Sequence, residues 1–434
     1  MRNAGWAMKV AIFNVGFSPN LGDGVIALCL KRSIERRTGW QVLPIDLAGR
    51  TQFSDPGRGT ARVAKLAALQ LMPRWLREKF VEYVLGRSIK ERLRPQWRAM
   101  LSGVRFVVFG GGQLFQDGDL NFPLKLAAAA AECEHYRLPL AIFAVGAAPS
   151  QSMRGSELMR RLTGSSRVVY ASARDDQSRA SLSKLGLGAT LCRDPGLLAA
   201  DLWPTPGGSP RAIKIVGLGL THPSLLAHHS SRGHSPSYEQ AVGLYVAIVK
   251  RLRASGYDVL CFTNGAGEDE RLLAALRGQL SADKAEGRVR FAPRCKSPSE
   301  LATMIGACDA LVAHRLHAAI LAYAYRVPAI GLLWDDKLEA FFKSVDREAH
   351  LVAFEQAPTR IGTLVAKAMA EGVDATEHAR VLEETRKGID DLVQVIAGHA
   401  LTPAEHTVLN SGAHPVRKLA GEELDAASKW VGAA

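Results

Sequence analysis

Cysteine is scarce in this chain: six residues in 434, and no two of them form a C-x-x-C pair. Cys29, Cys133, Cys192, Cys261, Cys295 and Cys308 are scattered, several within apolar runs. That argues against a disulfide framework and for reduced core thiols in a cytoplasmic protein. No apolar run approaches the roughly 20 residues that a bilayer-spanning helix needs. The N-terminus has no signal-type apolar block followed by a cleavage site, and Met8 to Phe13 reads instead as a first strand. No repeat of solenoid period is present. Acidic residues are outnumbered, 42 against 55 Lys and Arg, for a net charge of +13. The excess favours acidic partners: phosphates, anionic glycans, an anionic membrane surface or nucleic acid.

What is present is length and alternation. A chain of 434 residues, 47% of them hydrophobic, is large enough for two domains with sizeable cores. Apolar runs of strand length alternate with helical patterns from Lys9 onward, the pattern of an α/β fold with parallel sheets. The first such unit runs through Gly16–Asp23, whose Asn20, Gly22 and Asp23 lie before a helix spanning Gly24 to Arg37. This turn lacks G-x-G-x-x-G, so no dinucleotide site is inferred. Val104 to Phe109 reads as a strand that runs into three glycines, Gly110, Gly111 and Gly112. Glycines at a strand exit let backbone approach a ligand or a helix closely. Gly146 ends the next strand, and Arg174 follows another.

The segment Trp203 to Arg211, W-P-T-P-G-G-S-P-R, breaks both helix and strand and marks a domain boundary. The expected division is 1–205, 206–358, and a helical extension with a tail over 359–434. Past the boundary the alternation restarts. Asn264 and Gly265 leave one strand, and His222, His228, His229 and His234 crowd a polar loop without a carboxylate or thiol at ligand spacing. Asp117-Gly118-Asp119 has D-x-D spacing, a weak signal on its own, so no metal is expected.

The stretch Asp309 to Phe342 organises the rest. A short strand, Ala310–Ala313, delivers His314, Arg315 and His317 to the head of a helical run. A second apolar run, Val327–Leu333, exits into Asp335, Asp336 and Lys337. Open parallel sheets bind ligands beyond the carboxyl ends of their strands, and helix N-termini there favour anions. An arginine and a histidine at that place point to an acidic ligand and a proton to move. From Thr60 to Met100 the pattern is helical and basic, ten Lys and Arg against three Glu, with Trp75, Phe80, Tyr83 and Trp97 interleaved. Such a stretch can lie on an anionic membrane surface or pack as solvated helices. No nucleic-acid module accompanies it, and nucleic acid is not expected as a partner.

Taken together these pieces resemble the polysaccharide pyruvyl transferase family. The resemblance rests on Asn20-Leu21-Gly22-Asp23, Phe109–Asp117, Ala144–Pro149, Ala173–Ser178 and Arg193-Asp194-Pro195. It continues through Thr263-Asn264-Gly265, His314–Ala318, Val327–Ile330 and Asp336-Lys337. It implies two Rossmann-like domains facing a cleft in a GT-B-like arrangement, with the acceptor on the N-terminal side. It also implies transfer of pyruvate from phosphoenolpyruvate to a glycan or lipid-linked oligosaccharide as a ketal, without a further cofactor. The family's R-L-H residues fall on Arg315, Leu316 and His317. Arg315 suits an oxyanion because its planar fork grips in a bidentate way. Lys337 would neutralise a second anionic group, and His317 would carry protons. Asp23 or Asp194 would orient a sugar hydroxyl. Arg174, Asn20, Gly22, Gly111, Gly112, Gly146, Asn264, Gly265 and His314 are the further candidates for contact with substrate. Two rivals remain: a nucleotide-sugar glycosyltransferase on the same fold, and a non-catalytic scaffold in polysaccharide assembly. The first needs an acidic residue about seven positions after a basic one, where Ala324 stands after His317; the second has no need of an intact Arg315 and His317.

Overall fold

The computed structural model describes residues 8–53, 73–149, 151–205, 212–224, 236–281 and 287–401. Two parallel six-stranded sheets carry the molecule. The first contains β1 (Lys9–Asn14), β2 (Gln41–Asp46), β3 (Phe106–Phe115), β4 (Leu140–Ala147), β5 (Val168–Ala173) and β6 (Thr190–Leu191). The second contains β7 (Ile215–Gly219), β8 (Asp258–Phe262), β9 (Val289–Phe291), β10 (Ala310–Ala313), β11 (Ala329–Leu333) and β12 (Leu351–Ala353). Around the first sheet stand α1 (Leu21–Thr38), α2 (Arg74–Ser88), α3 (Arg94–Leu101), α4 (Asn121–His135), α5 (Met153–Thr163), α6 (Asp176–Lys184) and the short α7 (Ala199–Leu202). The second has α8 (Tyr238–Ala254), α9 (Gly267–Gln279), α10 (Pro298–Gly306), α11 (Leu316–Ala324), α12 (Asp336–Ser344) and α13 (Ala357–Glu371), and α14 (Ala375–Ala400) closes the described chain.

The strand orders are 2-1-3-4-5-6 and 12-11-10-7-8-9, every neighbouring pair parallel. In the first, the winding reverses between β1 and β3; in the second, between β7 and β10. Such reversals open a crevice at the carboxyl ends of the two strands, because their crossover helices leave to opposite faces. The strands are nearly continuous apolar runs, as sheets covered on both faces require; every residue of β4 is buried.

Helix α1 ties the halves together. Its Leu21, Val25 and Cys29 pack with Phe262, Leu301, Ile305, Leu311 and Leu321 of the second half. The backbone N–H of Leu21 donates to the Asn264 carbonyl at 2.9 Å. Gly265 makes the approach possible: its φ is +96°, and a Cβ there would lie 2.9 Å from the Pro19 carbonyl oxygen. The 359–434 stretch does not stand apart where it is described. Helix α13 packs on the second sheet through Ile361 and Val365. Helix α14 returns to the first, placing Ile389, Leu392, Val393 and Ile396 against Val10, Ile12, Phe106 and Val108.

The basic stretch is partly structural. Trp97 is fully buried and meets Phe13 edge-on, with ring centroids 5.6 Å apart. Buried Glu132 takes both Arg94 and Arg98. Residues 60–72 of this stretch lie outside the described residues. So do 206–211 of the linker, His228, His229 and His234 of the histidine loop, and the tail from 402. The start of the linker is built into the fold: Trp203 is buried, and its carbonyl accepts the Tyr325 hydroxyl at 2.6 Å. All six cysteines are buried, and none is in a disulfide.

Candidate active site

The carboxyl ends of the two sheets face one another, and charged and polar side chains converge there. Arg315 is the residue before α11, at the β10 exit, with extended backbone and no side-chain bond to its own helix. Its guanidinium reaches sideways instead: Nη2 donates to Asp269 Oδ2 at 2.5 Å. Asp269 is fully buried in the first turn of α9 and also accepts the His222 backbone N–H, at 2.7 Å. Burial alone would lower the arginine's pKa, but the adjacent Asp269 carboxylate outweighs it and holds the charge in place. Nε of Arg315 is buried without a partner.

Two residues on, His317 faces the N-terminus of α1. Its Nδ1 lies 3.7 Å from Asp23 Oδ1. Nε2 is buried and has no hydrogen-bond partner. Burial first, then the nearby charges of Arg174, Arg315 and Lys337, push its pKa down to about 3. The ring is therefore neutral at physiological pH, with a free lone pair or proton at a buried nitrogen. Asp23 is displaced the other way. Burial raises its pKa to about 6, against the lowering effect of Ser18, Arg50, Arg315 and Arg174. Gly22 lets this pair approach: a Cβ on it would lie 2.5 Å from the His317 Cβ.

Arg174 enters from the first sheet, at the exit of β5. Its Nη2 donates to Gln113 Oε1 at 2.8 Å, and Nη1 lies 3.6 Å from Asp194 Oδ2. Both Nη1 and Oδ2 are buried without a hydrogen bond. Burial raises the Asp194 pKa despite the arginine. Gly146 gives Arg174 its room, since a Cβ there would sit 2.7 Å from Nη2. Gln113 is brought into line by a register shift of β3, where Gly111 and Gly112 have φ of +74° and +87°. A Cβ on Gly111 would strike Ile26 of α1. Gly112 has open space around it.

Lys337 stands in the first turn of α12, 4.0 Å from Asp335. Burial lowers its pKa, with Asp335 opposing. A pocket lined by Arg174, Asp194, Leu316, Lys337 and Phe341, with Arg193 at its edge, opens beside it. Asn20 and Asn264 flank the α1 terminus. Asn20 Oδ1 and both side-chain polar atoms of Asn264 are buried and unpartnered.

The structure thus brings together Arg315, His317, Lys337, Arg174, Asp23 and Asp194, with Asn20, Gly22, Gly146, Asn264 and Gly265 close by. His314 is placed differently. It is fully buried, its ring 4.5 Å from the Phe354 centroid and its Nδ1 3.0 Å from the Tyr245 hydroxyl. Burial, then Arg315, lowers its pKa to about 3. Asp117 and Asp119, the D-x-D pair, hold local structure. Asp117 accepts the Leu120 and Ser152 N–H groups, and Asp119 pairs with Arg77 at 3.0 Å. Among the described residues no group of three His, Cys, Asp or Glu side chains is arranged to hold a metal.

Asp269, Gln113 and Arg50 were not anticipated. Asp269 reads in sequence as an ordinary acid in a first helical turn, and only the sheet order puts it beside Arg315. Gln113 lies one residue past a glycine triplet and carries no signal beyond that. Arg50 is held by Asp46 at 3.0 Å, four residues earlier, and reaches Asp23 through its field.

The family model described as "Polysaccharide pyruvyl transferase" matches residues 67–336. No curated protein matches the chain. Among solved structures, the UDP-GlcNAc 2-epimerase from Neisseria meningitidis bound to UDP-GlcNAc is similar with a TM-score of 0.53. It shares 9% identity over 90% of this chain and 100% of its own. A putative UDP-N-acetylglucosamine 2-epimerase from Listeria monocytogenes gives 0.49, with 8% identity over 90% and 96%. At 9% identity the likeness to the Neisseria structure concerns the fold alone: two Rossmann-like domains in a GT-B-like arrangement.

Proposed function

Because the chain belongs to the polysaccharide pyruvyl transferase family, we propose that it moves pyruvate from phosphoenolpyruvate to two hydroxyls of a glycan or lipid-linked sugar, as a ketal. The observation that carries this reading is the setting of His317. A neutral imidazole with an unpartnered Nε2 stands within the field of three cations, Arg174, Arg315 and Lys337, drawn from both halves. Three cations converging on one imidazole, each held by a carboxylate at its far side, suit a small ligand with a phosphate and a carboxylate.

The chemistry balances with the residues at hand. One sugar hydroxyl adds to the enol carbon that bears the phosphate ester, and the terminal carbon takes a proton. The second hydroxyl then displaces phosphate and closes the ring, so the products are the ketal and inorganic phosphate. Nε2 of His317 is placed to take the proton of the attacking hydroxyl. Asp23, 3.7 Å from Nδ1, is positioned to stabilise the imidazolium that forms. That distance is longer than a hydrogen bond, and contacts of this kind shorten when substrate binds. Arg315, held by Asp269, would grip one anionic group through its fork, and Lys337 with Arg174 would meet the other. Asn20 and Asn264 offer neutral donors and acceptors of the kind that hydroxyl-rich ligands need.

The test is thermal shift with phosphoenolpyruvate set against UDP-sugars. The reading expects stabilisation by phosphoenolpyruvate that shrinks in Lys337→Ala. Stabilisation by UDP-sugars alone would overturn it in favour of glycosyl transfer.

A further inference from the structure

The mechanism leaves one conspicuous surface unused. Eight large hydrophobic residues are exposed among the described residues, and four of them lie on α2: Leu76, Phe80, Tyr83 and Val84, at 41, 46, 69 and 48% exposure. Their spacing, i, i+4, i+7, i+8, places them on one stripe of the helix. Leu85, on the opposite side, packs against the core of the first sheet. The helix therefore has two apolar faces, and the core accounts for only one.

Charge is arranged around the outer stripe. Lys79, Arg87 and Lys90 are exposed beside it, Arg87 in an exposed ion pair with Glu91 at 2.9 Å. The acid Glu82 is bound by Arg154 at 2.5 Å, on a residue of α5. Arg77 is tied to Asp119 at 3.0 Å. These two ion pairs locate α2, because the segments around Asp119 and Arg154 follow the carboxyl ends of β3 and β4. Those are the ends that face the second sheet. The stripe accordingly stands at the rim of the cleft.

We propose that α2 is a docking element for an anionic lipid bilayer surface, lying in the interface with Leu76, Phe80, Tyr83 and Val84 inserted and the flanking cations on the headgroups. Apolar residues bordered by Lys and Arg are what interfacial helices present, and the chain's net charge of +13 agrees in sign. A helix of 15 residues is about 22 Å long, short of the roughly 30 Å hydrocarbon core, so it lies on the membrane rather than crossing it. No described helix is long and apolar enough to cross. A second copy is the weaker occupant: four side chains on one helix offer far less than the roughly 800 Å² per partner that stable dimers bury. The placement at the cleft rim would present the site to acceptors held at the membrane. The proposal itself does not depend on which donor the site takes.

The experiment is co-sedimentation of the full chain with phosphatidylcholine vesicles, with and without phosphatidylglycerol. Wild type is expected to bind the anionic vesicles. The double variant Phe80→Ser, Tyr83→Ser is expected to bind about tenfold more weakly, with an unchanged melting temperature. A second variant reads insertion directly. All six native cysteines are buried, so Tyr83→Cys can be labelled selectively with an environment-sensitive dye. Its emission should shift to the blue on adding anionic vesicles. Wild type left in the supernatant, or serine variants that bind as well as wild type, would overturn the proposal. So would an unshifted dye, or sedimentation showing a dimer that the serine variants abolish.

Discussion

Gly22 and His317 occupy the same small volume from opposite halves of the chain: a Cβ on the glycine would stand 2.5 Å from the histidine Cβ and 2.6 Å from Nδ1. The contact sets how far α1 can enter the cleft. It also keeps Asp23, the next residue along, at 3.7 Å from the imidazole.

Gly22→Ala is therefore expected to damage activity more than stability. Alanine suits a helix better than glycine by about 1 kcal/mol, while overpacking costs about 1–3 kcal/mol. The net loss in folding should be small. The displaced imidazole should lower kcat by a hundredfold or so, by the usual cost of misplacing a reacting group. Urea unfolding together with steady-state kinetics checks both. A variant with normal kcat would show that the spacing is not needed.

The pH dependence follows from two opposite shifts. His317 is displaced to about 3 and is neutral across the working range. Asp23 is displaced to about 6. If the carboxylate is the working form, kcat/KM of the free enzyme should rise as pH passes about 6 and then level off. Asp23→Asn should remove that limb.

Stability gives the same residues a second readout. The folded pKa of Asp23 lies above its ordinary 3.8, so the folded state holds that proton more tightly, and stability falls as pH rises from about 4 to 6. His317 is depressed below its ordinary 6.5, so its contribution is lost as pH falls below 6.5. Asp23→Asn should accordingly raise the melting temperature above about pH 6 and lose that advantage near pH 4. Melting curves across this range decide it. A variant less stable than wild type at neutral pH would contradict the assignment.

Arg315 and Asp269 should behave as a unit. Arg315→Ala leaves a fully buried carboxylate without its partner, which costs about 3–5 kcal/mol. The double variant Arg315→Ala, Asp269→Ala should recover much of that stability and none of the activity. Asp269→Asn alone should raise KM for the donor, because the guanidinium loses its anchor. Independent, additive losses of stability in the cycle would show that the two are not coupled.

Much of this was legible in the sequence, for identifiable reasons. The strand Ala310–Ala313 is a short apolar run bounded by polar residues, and its limits are as read. The helix Tyr238–Ala254 carries its own start signal, a capping box of Ser237 and Gln240. Arg315 and His317 were visible because a strand exit and a helix start leave them nowhere else to go. β12 was not, since three residues, Leu351–Ala353, carry no period. The D-x-D pair shows the limit of motif spacing: both carboxylates are taken up by local turns and Arg77. His314 and Arg315 are neighbours in sequence, yet the pleat turns the histidine ring into a fully buried aromatic cluster and leaves the guanidinium at the crevice. Asp269 needed the sheet order, a property that no local window contains.

The central claim is that Arg315 and His317 handle a small doubly anionic enol ester. Its most direct test is to incubate the enzyme with phosphoenolpyruvate and candidate glycan or lipid-linked oligosaccharide acceptors, and to follow the acceptor by mass. The account expects a gain of one pyruvyl unit with release of inorganic phosphate, abolished in His317→Ala and in Arg315→Ala. Pyruvyl transfer at near-normal rate by a folded preparation of either variant would contradict it.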